Sequence, residues 1–272
     1  MTCRSKIVVF DLDETLGYFM ELGMFWDALN AYIKNKHLKI TIDQYLFNGV
    51  LNLYPEFLRP NIIDILNYLK LQKQNNYCDK LMIYTNNQGP VGWTKHIMNY
   101  FEQTINYNLF DQIIGAFKIQ GKNIELCRTT HLKTHKDFIK CTKVSKNTQI
   151  CFIDDAYYPD MSNDNIYYIN VKPYIHDLSF DIMISRLLNS SILGLVDDPI
   201  YCREYILAFM NKYNYIYITK TQSSQMIDTI LSKKILQHLH IFFKMKPIAS
   251  NITKNTKRHK IICNKTLKRH KN

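Results

Sequence analysis

Three short apolar runs in this chain each stop at a polar cluster, and that recurrence constrains the fold more than any other feature. Ile7-Val8-Val9-Phe10 runs into Asp11-Leu12-Asp13-Glu14-Thr15-Leu16. Leu81-Met82-Ile83-Tyr84 runs into Thr85-Asn86-Asn87-Gln88-Gly89, and Ile150-Cys151-Phe152-Ile153 runs into Asp154-Asp155. Runs of this length and composition read as buried strands. Further strands are predicted at Ile113-Ile114 and from Ile166 to Val171. Helical spacing fills the intervals, over 92–104 and near 134–142. The alternation predicts an α/β fold, a parallel sheet wrapped by helices. Ligands of such sheets bind at the carboxyl ends of the strands, which is where the polar clusters fall.

Two departures from simple alternation set the domain organisation. Residues 17–57 separate the first strand from the next clear element. Phe25-Trp26-x-x-Leu29-x-x-Tyr32-Ile33 has helical spacing, so this stretch is predicted to be a helical insertion. Leu58-Arg59-Pro60 then opens a helix, with Pro60 at its first position and Ile62, Ile63, Leu66 and Leu69 on one face. After residue 178 the pattern is helical to about 246, with Met183, Leu187 and Leu188 in one segment and Met226, Ile230 and Leu231 in another. The expected division is a sheet domain over 1–178, a helical extension packed on it over 179–246, and a basic, largely disordered tail over 247–272.

Charge supports that division. The net +12 is not spread along the chain: 12 of the 35 Lys and Arg lie in 229–272, where Asp and Glu are absent, and the other 23 match the 23 acids of 1–228. The body is formally neutral. The tail, with eight Lys and Arg over 254–272, reads as a solvated segment, or as one for nucleic-acid binding or for nuclear or virion addressing. No apolar run approaches the ~20 residues that span a bilayer, and the first strand leaves no room for a leader, so a cytoplasmic or nuclear protein is expected. Seven cysteines stand singly with no C-x-x-C pair, which predicts reduced thiols and neither zinc nor a disulfide framework. His131 and His135, at i and i+4, lack a third ligand.

The polar clusters carry the chemistry. On an extended chain, Asp11, Asp13 and Thr15 share one face. Two carboxylates this close need a cation or a shared proton, and a hard cation such as Mg²⁺ with phosphate oxygens suits an all-oxygen site.

The Asp11-Leu12-Asp13-Glu14-Thr15 segment resembles the D-x-D-x-T motif of the haloacid dehalogenase (HAD) superfamily, and the later clusters resemble its other motifs in order. The resemblance implies a HAD-like, Rossmann-type sheet and a phosphatase. In it Asp11 is the nucleophile, forming an aspartyl-phosphate, and Asp13 protonates the leaving group. Thr85 and Asn86 hold the phosphoryl group, and a lysine offsets its charge. Lys133 and Lys136 both qualify; Lys136, followed by Asp137 and 18 residues before Asp154, is the choice. Asp11, Asp13 and Asp155 are the implied Mg²⁺ ligands, with Asp154 and Asp160 in supporting or alternative metal positions.

The spelling D-L-D-E-T-L and the Leu58-Arg59-Pro60 segment are similar to the NLI-interacting-factor and RNA polymerase II C-terminal-domain phosphatases, which implies a phosphoserine or phosphothreonine protein as substrate. Thr85-Asn86-Asn87-Gln88-Gly89 instead resembles the T-N-Q-x-G of polynucleotide 3′-phosphatases. The whole pattern looks like a HAD-like protein of a large DNA virus. A non-catalytic interaction or virion protein on the same scaffold is the third possibility, and intact Asp11 and Asp13 speak against it. Oligomeric state is not readable.

Overall fold

In the computed structural model, the described residues are 5–89 and 92–245, with the backbone of Lys260–Ile261. Five parallel strands form the sheet: β1 (Lys6–Phe10), β2 (Lys80–Tyr84), β3 (Gln112–Ile114), and, after a two-residue hairpin of β4 (Lys118–Ile119) and β5 (Lys122–Asn123), β6 (Gln149–Asp154) and β7 (Ile166–Asn170). Their spatial order is β3-β2-β1-β6-β7. Val9 of β1 faces Met82 of β2 on one side and Phe152 of β6 on the other. The order therefore reverses between β1 and β6, which is the switch point where open α/β sheets open a crevice. The hairpin closes through Gln120 and Gly121, both at positive φ, as a tight two-residue turn needs.

The strand residues alternate between two cores, as the period of two dictates. Val8, Phe10, Leu81, Ile83, Cys151 and Ile153 face the larger cluster. Ile7, Val9, Met82, Tyr84, Ile150 and Phe152 face the smaller. The smaller is covered by Phe138 of α5 (His135–Thr142), whose start is capped by Thr134 accepting from the Asp137 N–H at 3.1 Å. The larger is covered by α3 (Ile62–Gln74) and α4 (Trp93–Ile105), the crossover helices on that face.

Residues 17–57 contain α1 (Met20–Asn35) and α2 (Gln44–Asn52), whose apolar faces join the larger cluster. Gly17 sits where this segment leaves and rejoins the sheet domain, bridged to both Asp13 and Leu58. A Cβ there would come within 2.5 Å of the Phe57 carbonyl oxygen, so the close approach requires glycine. Helices α6 (Phe180–Leu188), α7 (Pro199–Asn211) and α8 (Gln222–Lys244) also bury residues in the larger cluster, among them Met183, Ile206 and Leu239. Among the described residues no helix is long and apolar enough to cross a membrane.

Three expectations need correction. Helix α3 begins at Ile62 rather than Pro60, because Asn61 takes a left-handed conformation and sets the start. In α8 the buried face runs through Leu231, Ile235, Leu239 and Phe242, while Met226 and Ile230 are exposed. Cys127 and Cys141 form a disulfide, since the β4–β5 hairpin returns the chain against α5; Cys78, Cys151 and Cys202 are free and buried. The basic tail lies outside the described residues except for Lys260–Ile261, which pair in parallel with Ile169 and Asn170 of β7.

Candidate active site

At the switch point the carboxyl ends of β1, β2 and β6 enclose a cavity of about 250 Å³. Its lining includes Asp11, Asp13, Thr85, Asn86, Lys133, Asp154 and Asp155. These residues come from four separate segments of the chain. Asp11 is locked at its strand end by its N–H, which donates to the Ile153 carbonyl at 2.9 Å, and Thr85 likewise by its N–H to Ile114. Leu12, between the two aspartates, points into the larger core.

Lys133 occupies the centre. Its Nζ donates to Asp11 Oδ1 at 2.5 Å and to Asp154 Oδ2 at 2.6 Å, and all three side chains are buried. Burial works against the ammonium, but Asp11 and Asp154 together outweigh it and raise its pKa, so it stands protonated. Lys136 was the expected cation, and the structure corrects that choice: it is exposed on α5 while Asp137 and Phe138 turn inward. Asp137 is spent on the Thr129 N–H and hydroxyl. Lys133 precedes the capping Thr134 on extended chain, which lets it reach back over the sheet.

The carboxylates divide into two sets. Oxygens of Asp11, Asp154 and Asp155 lie within 4.8 Å of one another, a spacing that can hold a metal ion. Asp155 is held by Thr15, whose hydroxyl donates to its Oδ1 at 3.2 Å and accepts from its N–H at 3.1 Å. Asp154 accepts from the Ala156 N–H and from Lys133, so the two adjacent aspartates have different partners. Asp13, expected among the metal ligands, has its carboxylate outside that cluster; its Oδ2 accepts from Asn87 Nδ2 at 2.8 Å. Burial pushes the Asp13 carboxyl up to about 7, against the Asn87 hydrogen bond and with the help of Asp11. Asp160 is exposed in the short 3₁₀ helix Pro159–Met161, outside the cavity lining. Three carboxylates against one ammonium leave the cluster short of positive charge, and an all-oxygen set suits a divalent hard cation.

Three supporting residues had no role assigned from the sequence. Arg59, almost fully buried, donates from Nε to the Thr15 carbonyl at 2.5 Å and from Nη2 to the Glu14 and Lys172 carbonyls, clamping the turn after β1. Glu14 in that turn has positive φ. Arg128 donates to the Thr85 and Gly115 carbonyls, to Asn86 Oδ1 and to the His131 carbonyl, so one guanidinium sets both the β2 loop and the approach to Lys133. Asn87 holds Asp13 and bonds its own N–H to Thr85 Oγ1 at 3.0 Å. The signal for Arg59 was the Leu58-Arg59-Pro60 segment; Arg128 had none, because Thr85, Asn86 and Gly115, which it holds together, are remote from it in sequence. No known protein family and no curated protein matches this chain.

Proposed function

We propose that the chain is a Mg²⁺-dependent phosphomonoester hydrolase of the HAD type, acting through an aspartyl-phosphate on phosphoserine or phosphothreonine proteins. The observation that carries this reading is the Lys133 ammonium between Asp11 and Asp154, with Asp155 and Thr85 around the same cavity. A structural ion pair needs one carboxylate. Here a cluster of carboxylates and a single lysine surround a space at the switch point, a set that could take a dianionic group once a divalent cation joins the lysine.

The residues divide the work as follows. The Asp11 oxygen not held by Lys133 attacks phosphorus, and the bond to the leaving oxygen breaks as the O–P bond to Asp11 forms. Asp13, kept in place by Asn87, gives its proton to the leaving oxygen. Asp13 then takes a proton from a water that attacks the aspartyl-phosphate, which frees Asp11 and inorganic phosphate. Lys133 offsets charge on Asp11 and the transferring group, and Thr85 and Asn86 hold its oxygens. Asp11, Asp154 and Asp155 would hold Mg²⁺, which when bound neutralises phosphate oxygens. Splitting the reaction at a covalent stage suits a substrate class whose uncatalysed hydrolysis is among the slowest known.

The test is turnover of a phosphoseryl peptide and of p-nitrophenyl phosphate, with Mg²⁺ and with chelator. Wild type turns over with Mg²⁺ only, and Asp11→Asn does not turn over. Activity in chelator would remove the metal from the reading, and full activity of Asp11→Asn would remove the covalent step.

A further inference from the structure

Beside this cavity lies a second, larger one of about 400 Å³, and the two share Asp13, Glu14 and Asn87 as a common wall. Its size falls within the ~300–1,000 Å³ of small-molecule pockets. Its other walls come from three regions: Tyr18, Met20, Met24 and Asp27 at and within α1, Trp93 at the start of α4, and Tyr213 just after α7. Among the described lining residues there are three carboxylates, Asp13, Glu14 and Asp27, and no Lys or Arg.

We infer that this second cavity takes an aromatic or bulky apolar leaving group, uncharged or cationic, of the ester whose phosphoryl group lies against Asp11. The inference rests on the hydrolase reading and narrows its substrate. The leaving oxygen must come to Asp13 to receive a proton, and Asp13 is the wall between the cavities, so the carbon beyond that oxygen continues into the second. Aromatic faces and methionine sulfurs there favour a ring. Glu14 and Asp27 repel an anion, and a nucleic-acid strand brings a charge at every phosphate. A 3′-phosphorylated strand is thus the wrong occupant, whereas a peptide segment with an apolar side chain at or beside the phosphorylated residue fits.

Gly23 offers a direct test. It lines the cavity on α1, and a Cβ added there meets a single side-chain atom, Trp93 Cζ2 at 3.6 Å. A longer side chain therefore extends into the cavity, and replacing glycine within a helix favours the helix. The full chain with Mg²⁺ is assayed on 2-phenylethyl phosphate, ethyl phosphate and a 3′-phosphorylated oligothymidylate; the two alkyl esters have leaving groups of closely similar reactivity. We expect kcat/KM for the phenylethyl ester to exceed that for the ethyl ester roughly tenfold or more, as burial of a phenyl ring implies. The oligonucleotide should be the poorest, and Gly23→Leu should bring the phenylethyl-to-ethyl ratio towards one. Binding is followed in parallel by fluorescence of Trp93, one of two tryptophans in the chain. Equal turnover of both alkyl esters, or preferred turnover of the oligonucleotide, overturns the inference and leaves the hydrolase reading standing. No turnover, but quenching by the phenylethyl ester alone, keeps the cavity's assignment and overturns the hydrolase reading. No turnover and no selective quenching overturns both.

Discussion

Removing the Lys133 ammonium leaves Asp11 and Asp154 facing one another in a buried gap with no counter-charge. Breaking a buried pair from one side costs about 3–5 kcal/mol, and loss of one fixed electrostatic group at a reacting centre costs roughly 10²–10³-fold in turnover. Lys133→Met is therefore expected to lower both urea stability and turnover by about these amounts. Lys136→Met, at an exposed position, should stay within about 0.5 kcal/mol of wild type with turnover unchanged. A reversal of the two phenotypes would return the catalytic cation to Lys136. The distinction was partly legible in the sequence. Lys136 and Lys140 are one helical turn apart and share the solvent side of α5, opposite Phe138, and helical spacing alone could have paired them. The reach of Lys133 was not legible, because it depends on where the extended segment crosses the sheet.

The insertion helix α1 is seated by a carboxyl rather than by apolar contact alone. Glu21, in its first turn, is fully buried; its Oε2 accepts from the Leu178 N–H at 2.8 Å, and its Oε1 has no hydrogen-bond partner among the described residues. Burial pushes this carboxyl up to about 8, against that hydrogen bond. The folded state therefore holds a proton that the unfolded chain releases near its usual value of 4.5. Between those two values the native state binds more protons than the unfolded one, so stability falls as pH rises, by up to about 1.4 kcal/mol per pH unit. Thermal unfolding of wild type and Glu21→Gln from pH 5 to 8 should show the wild type losing ground to the variant as pH rises. Parallel curves would mean that Glu21 is ionised in the fold. Strands β1, β2 and β6 could be read as continuous apolar runs because both faces are covered, and α1 and α4 from periodicity because each buries one regular face. The start of α3 and the buried face of α8 could not. Asn61 takes a left-handed turn for tertiary reasons, and α8 buries Asp228 and Ser232 among its apolar residues, which blurs the pattern.

At the scale of the molecule, no described residue beyond Tyr213 lines either cavity. Truncation after residue 250 should leave hydrolysis of a small phosphate ester within about twofold of the full chain. If the tail binds DNA or RNA, that affinity should fall with salt at a log–log slope of roughly −0.7 to −0.9 per phosphate contacted, and truncation should abolish it. Binding that survives truncation would put the basic surface on the body. The position of β1 has another consequence. It is the first strand along the chain, yet it lies between β2 and β6 in the finished sheet, and its Lys6 Nζ donates to the Phe242, Phe243 and Met245 carbonyls at the end of α8. During synthesis at about 5–20 residues per second, β1 waits roughly 7–28 s after its own emergence for β6 to emerge beside it. Its Asp11 stays without its Lys133 partner for most of that interval. The proposed catalytic centre is thus assembled late in the birth of the chain, and an incomplete nascent chain carries the proposed nucleophile, Asp11, without the Lys133 that pairs with it.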